Sequence, residues 1–149
     1  MLQWMLQTDG GVVGLLLRIT LAVVIFPHGA QKVLGWFGGS GFKGSMKHFT
    51  DSGIPTLFAF LALAAEFLGP LGLAVGFLTR IAAFGIACVM LVAIATVHWP
   101  NGFFMNWYGN QKGEGFEYHL LALGVAIAVI VVGGGVWSFD LALVHSGLS

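Results

Sequence analysis

Seven ionisable side chains interrupt otherwise apolar sequence and set the chemistry open to this chain: Arg18, His28, Lys32, Glu66, His98, Glu117 and His119. Three fall in one run, Leu15 to Lys32, which reads Leu-Leu-Leu-Arg-Ile-Thr-Leu-Ala-Val-Val-Ile-Phe-Pro-His-Gly-Ala-Gln-Lys. At 100° per residue, Lys32 lies about 40° and His28 about 80° from Arg18, so a helix carries all three on one face. Arg or Lys near the centre of a membrane helix costs roughly 2.5 to 3.5 kcal/mol, so such groups turn toward a bundle interior and take partners there. Pro27 cannot donate to the Val23 carbonyl and should kink the helix beside His28.

Glu66 stands about eleven residues into a second apolar run. Pro70, four residues on, deprives the Glu66 carbonyl of its normal helical donor. At 1.5 Å per residue, Arg18 and Glu66 both lie roughly 10 to 15 Å from the surface that carries the termini. The expectation is a buried Arg18–Glu66 ion pair that lets both charges insert, with a proton- or electron-coupled role as the alternative.

The other ionisable groups gather at the opposite membrane face. His28 and Lys32 end the first apolar run, His98 ends the third, and Glu117 and His119 begin the fourth. Glu117 lies within about 20° of the small-residue face of Gly124 and Ala128 and is expected to point inward, while His119 lies about 200° round. Such a mouth could bind an anion, a quinone head group or a metal, or the groups could simply hydrate the helix ends. Metal is the weakest of these, since no HxxxH or ExxH spacing is present, and no metal ligand is assigned. A quinone ring needs hydrogen-bond donors at its oxygens and apolar walls elsewhere; Lys32 and a histidine, with Trp99 or Trp107, would supply both. Histidine also titrates nearest physiological pH. The candidate ligand-binding set is therefore His28, Lys32, His98, Glu117, Trp99 and Trp107, and no residue is assigned a catalytic role. Arg80 reads as a snorkelling anchor at the terminal side.

The elements that must position these groups follow from composition. Of 149 residues, 58% are hydrophobic and 8% charged, and mean hydropathy is +0.93. A single domain of this length cannot hide so much apolar surface from water, so its solvent is lipid. Six basic and six acidic residues balance, and no basic patch points to nucleic acid. Cys88 stands alone, which excludes an intrachain disulfide or a CxxC redox pair. Met1 to Gly10 has Asp9 and no Lys or Arg, so no cleavable signal peptide is expected.

Four apolar segments, about 11–34, 55–78, 80–99 and 117–137, each hold about 20 residues, enough to span roughly 30 Å of hydrocarbon. The expected fold is all-α: a single transmembrane domain, 1–149, forming an integral-membrane four-helix bundle. Thr79 alone separates the second and third segments, which form a tight hairpin. In the first loop Phe42, Met46 and Phe49 recur at helical spacing, predicting a short amphipathic helix in the interface plane that either anchors to the membrane or lids a site. Trp99, Phe103, Phe104, Trp107, Tyr108 and Phe116 in the third loop read as an interfacial belt or an aromatic wall. Gly72-xxx-Gly76 and Gly124-xxx-Ala128 are read as close-approach packing stripes. An even number of crossings puts both termini on one side, and Lys32, Lys43, Lys47 and Lys112 set loops one and three on the cytoplasmic side.

The succession of motifs resembles the DoxX family of small four-helix membrane proteins. The matching pieces are Arg18, His28-Gly29-Ala30-Gln31-Lys32, Gly53-Ile54-Pro55, Glu66 with Gly69, Gly76-Phe77-Leu78-Thr79-Arg80, and Gly133 to Asp140 with its Trp137-Ser138-Phe139-Asp140 tail. The resemblance implies a protein of the cell (inner) membrane, crossing it several times and often labelled an oxidoreductase; relatives include a small subunit of a quinone-reducing thiosulfate oxidation system. It brings no catalytic residue with it. Three functions compete. The first is a quinone-linked redox component or subunit of a membrane oxidoreductase. The second is a non-catalytic partner or assembly subunit, and the third a pathway for small solutes or ions. The implied partners are the lipid bilayer and a redox protein or a second copy of the chain, with quinone as the candidate cofactor.

Overall fold

A computed structural model describes residues 6–8 and 10–146. Met1 to Met5 and Asp9, on which the signal-peptide expectation partly rests, lie outside the described residues, as does Ser149. Six α-helices and no strand occur among the described residues. They are α1 (Val12–Leu34), α2 (Gly41–Asp51), α3 (Thr56–Val75), α4 (Thr79–Ala93), α5 (Glu117–Val132) and α6 (Phe139–His145). A π turn, Ile94–His98, and a 3₁₀ turn, Trp99–Asn101, continue α4.

Helical periodicity decides which faces meet. In α1 the buried residues Gly14, Arg18, Leu21, Ala22, Ile25, Gly29 and Ala30 form one stripe, and in α3 Ala59, Leu63, Glu66, Gly69, Pro70 and Leu73 form another. The four long helices pack in a ring: α1 on α3, α3 on α4, α4 on α5, and α5 back on α1. Leu21, Ile25, Leu73, Ile86, Met90 and Val129 fill its centre. Large apolar side chains such as Leu16, Val23, Phe58, Leu68, Phe84 and Leu121 cover the outside. An exterior this apolar and an interior holding buried Arg and Glu invert the soluble pattern and define a membrane helical bundle. Three helices, Val12–Leu34, Thr56–Val75 and Thr79–Asn101, are long and apolar enough to cross a bilayer, and Glu117–Val132 is a shorter apolar helix.

The end of the fourth segment and the chain beyond it differ from the sequence reading. The fourth segment stops at Val132, where Gly133 takes φ 86, and the chain turns through Gly134 and Gly135 into α6, which hydropathy alone did not suggest. The Ser138 hydroxyl caps α6 by accepting from the Leu141 N–H at 3.1 Å. Asp140, 1% exposed, reaches back to the α3–α4 hairpin, its two oxygens accepting the Leu78 and Thr79 N–H groups at 2.8 and 2.9 Å. A carboxylate on the open N–H groups of a helix N-terminus also complements the helix dipole.

Of the two small-residue stripes, the one on α5 needs correction. Gly124 has open space where a side chain would begin, so Gly124-xxx-Ala128 lines an outer furrow instead of a helix contact. In α3 close packing falls on Gly69, which meets Ile86, and on Gly72, which meets Phe77 and Ala82; Gly76, the left-handed C-cap at φ 72, packs against Ser138. The amphipathic helix is present as α2, packed on α1 and α3.

Candidate functional site

Arg18 and Glu66 do not pair. The Arg18 guanidinium, 1% exposed, donates only to backbone carbonyls: Nε to Gly134 at 2.8 Å, Nη1 to Leu73 and Ala74 at 2.7 Å each, and Nη2 to Trp137 at 2.9 Å and Val136 at 3.4 Å. At the C-terminal end of α3 the Leu73 carbonyl takes only the Gly76 N–H, at 3.2 Å, which leaves it a lone pair, and the helix dipole makes that end negative. The carbonyls there therefore take a buried cation as a carboxylate would, with Asp140 in electrostatic reach. Leu73 and Ala74 stand seven and eight residues beyond Glu66, so Arg18 sits about 10 to 12 Å from the level of the acid. Arg80 is likewise no snorkelling anchor. It is 9% exposed and donates to the Gln7 carbonyl at 3.0 and 3.2 Å and to the Ile130 carbonyl at 2.7 Å.

The partner of Glu66 is Lys32, whose Nζ lies 2.5 and 2.6 Å from the two carboxylate oxygens. The side chains are 4% exposed for Glu66 and 34% for Lys32. Backbone geometry builds this contact. At Gly29 a Cβ would overlap the Glu66 carbonyl, which Pro70 has left without its helical donor. Glycine here lets α1 and α3 touch backbone to backbone, and Lys32, three residues on along the same face, lands on the carboxylate. Phe26 stacks on Phe67 at 6.1 Å and meets Trp36 edge-on at 6.4 Å.

A row of rings runs from this pair across the bundle. His28 lies 5.8 Å from Tyr118, Tyr118 lies 5.2 Å from His119, and His119 lies 3.8 Å from His98, measured between ring centres. His28 is in electrostatic reach of Lys32 and Glu66, and Tyr118 of Glu66. The π turn in α4 ends at His98, whose Nδ1 lies 2.8 Å from the Glu114 carbonyl. Within this row the Tyr118 hydroxyl and the His119 Nδ1 are buried and have no hydrogen-bond partner. Leaving a buried polar group unpaired costs about 1 to 3 kcal/mol.

Of the residues singled out from sequence, the fold thus brings His28, Lys32 and His98 into one connected cluster, together with Glu66. Glu117 is not among them. It accepts the Met105 N–H at 3.2 Å and lines the outer furrow with Leu17, Phe103, Leu121, Gly124 and Ala128. The inward face of α5 is Ala122, Ala126 and Val129, and His119 falls three residues before it, so Glu117 and His119 exchange the orientations expected of them. Trp107 is 79% exposed and Trp99 65% exposed; Trp99 stacks on Phe116 at 5.3 Å. Both belong to the aromatic rim, and the ring contact of Trp99 is to Phe116 and not to a member of the row. Tyr118 was missed. Its signal was a phenol one turn before buried Ala122, flanked by two ionisable residues. No group of three or more His, Cys, Asp or Glu side chains suited to a metal occurs among the described residues.

The fold and this interior define a small helical membrane protein with a partly buried ion pair beside a partly unsatisfied polar cluster. The DoxX family matches residues 13–99, which include Arg18, His28, Lys32, Glu66 and His98, and the chain belongs to that family. It is 30% identical over 115 residues to the protein named "Putative oxidoreductase CatD" of Bacillus subtilis (strain 168), covering 77% of this chain and 76% of that one. No solved structure gives a significant match.

Proposed function

We propose that this protein is a multi-pass redox component of the cell membrane that binds a quinone head group at the His28–Tyr118–His119 row. One observation carries the reading: two buried polar atoms on adjacent residues, Tyr118 Oη and His119 Nδ1, lack partners inside a membrane bundle. Buried polar groups are nearly always satisfied, and an exception calls for a missing hydrogen-bonding partner. A quinone offers two carbonyl acceptors on a flat apolar ring, which suits a hydroxyl donor and an imidazole set between the rings of His28 and His98. The name of the Bacillus subtilis relative favours a redox reaction over a solute pathway.

Quinone reduction takes up two electrons and two protons. The electrons come from a redox donor with which the chain associates. The chain's own residues bind and orient the ring and hold protons. The Tyr118 hydroxyl donates to one carbonyl oxygen, and His119 donates through Nδ1 in the tautomer that carries its proton there. His28 is exposed where α1 meets α5, so the row is open to the bilayer in which a quinone is dissolved. Loops one and three face the cytoplasm. Arg18 and Arg80 are buried and hydrogen-bonded, which leaves Lys43, Lys47 and Lys112 as the basic side chains exposed at the ends of the bundle.

The test is binding of a short-tail benzoquinone to the purified protein in nanodiscs. Wild type should bind it saturably, and the double variant Tyr118→Phe/His119→Leu about tenfold or more weakly. Equal binding by both proteins, or no saturable binding by wild type, refutes the site.

A further inference from the structure

The Lys32–Glu66 pair faces two compartments. Toward the bundle, the Glu66 backbone touches Gly29, and His28, the residue before that glycine, lies 5.8 Å from Tyr118 between ring centres. Away from it, Lys32 forms one wall of a separate cavity of about 130 Å³, lined also by Ser40, Ser45, His48 and Phe49. The Ser40 and Ser45 hydroxyls lie 2.9 Å apart. One hydrogen bond between them leaves a hydroxyl proton and further lone pairs unused. A chamber this roomy, walled by two hydroxyls, an ammonium and an imidazole, meets the conditions for holding water.

The sequence of α2 points the same way. A helix serving only as a membrane anchor turns apolar residues to the surface it lies on. The residue that α2 buries is Ser45, which lines the same cavity as Lys32, while Ser40 and His48 remain exposed. The chamber therefore leads from the protein surface to an ion pair whose acid is buried.

We propose that this chamber is an aqueous proton port and that Lys32–Glu66 relays protons from it to the Tyr118–His119 site. The inference rests on the quinone reading. A proton from water passes to the Glu66 carboxylate, whose charge Lys32 balances. The resulting carboxyl gives its proton up toward the ring row as the ligand takes one, and the carboxylate is restored. Each cycle moves one proton from water to ligand with the relay unchanged. Two cycles match the two electrons that the redox donor delivers to a quinone.

Two measurements test the port and the relay separately. The first is acetylation of Lys32 by a water-soluble, membrane-impermeant N-hydroxysuccinimide ester in nanodiscs, read by peptide mass spectrometry with Lys43 as reference. Ser45→Leu fills the chamber and should slow Lys32 labelling about tenfold, and His48→Leu on the exposed rim should slow it in the same direction. Unchanged Lys32 labelling in both variants overturns the port, whatever a quinone does. The second is electrode-driven reduction of saturating short-tail benzoquinone in nanodiscs. Glu66→Gln cannot carry a proton and should slow the reaction about tenfold. Formate, a small weak acid, should restore the rate when Ser45 is retained and fail in Glu66→Gln/Ser45→Leu. An unchanged rate in Glu66→Gln overturns the relay. A wild-type protein that binds no benzoquinone refutes the head-group reading instead, and the labelling result then decides the port alone.

Discussion

Replacing Glu66 and Lys32 singly and together should reveal one strong coupling, and replacing Glu66 with Arg18 should reveal none. Removing one member of a buried ion pair costs about 3 to 5 kcal/mol, because the other charge is stranded. Glu66 meets that condition at 4% side-chain exposure, but Lys32, at 34%, retains some solvent, so the lower end of the range applies. Lys32→Met should destabilise by about 3 kcal/mol, since it strands the buried carboxylate. Glu66→Gln should cost less, about 1 to 2 kcal/mol, because the ammonium can turn toward the α2 chamber. The double variant should cost no more than Lys32→Met alone, which gives a coupling of about 1 to 2 kcal/mol. Arg18 and Glu66 share no hydrogen bond, so that pair should be additive within about 0.5 kcal/mol. The assay is reversible unfolding in mixed micelles as the denaturing detergent is increased, followed by circular dichroism. Additive Lys32 and Glu66 effects, or an Arg18–Glu66 coupling as large as that of Lys32–Glu66, would refute the pairing.

Three further outcomes follow from the same geometry. Gly29→Val should push α1 from α3 at the Glu66 carbonyl and cost about 3 kcal/mol or more by overpacking, whereas Gly124→Val, in open space, should stay within about 0.5 kcal/mol in the same unfolding assay. Asp140→Ala removes the acceptor of the Leu78 and Thr79 N–H groups and should lower stability by about 3 kcal/mol, two charge-assisted hydrogen bonds being lost. In oriented vesicles, a maleimide reagent confined to the outside should label Ser149→Cys and spare Lys47→Cys until the membrane is permeabilised; the reverse pattern would invert the topology.

Much of this architecture is legible in sequence, because lipid makes hydropathy and helical period strong signals. Arg18, His28 and Lys32 betray an inward face by their cost alone, and Phe42, Met46 and Phe49 betray α2. What sequence hides is choice of partner. Arg18 looked to need a carboxylate, yet backbone carbonyls at the end of α3 serve, and these groups occur at every position and leave no residue-level trace. Once Arg18 is satisfied there, Glu66 falls to Lys32, a pairing that Gly29 and Pro70 favour but that requires knowing how α1 and α3 cross. Orientation on α5 failed for a related reason. Gly124 and Ala128 read as a packing face, but small residues also leave furrows toward lipid, and a helix oriented by them turns Glu117 inward and His119 out. Asp140 lies in a short tail whose capping of α4 depends on a chain reversal through Gly133 and Gly135.

The central claim, that the unsatisfied Tyr118 hydroxyl awaits a hydrogen-bonding ligand, is tested most directly by measuring one variant in two ways. Tyr118→Phe removes a buried group that lacks a partner, so the ligand-free protein should be as stable as wild type or more stable by about 1 kcal/mol. The same change should weaken short-tail benzoquinone binding about threefold to tenfold, the worth of one lost hydrogen bond. Stability and affinity moving in opposite directions is the predicted result. A variant that loses stability while binding benzoquinone as tightly as wild type would contradict it.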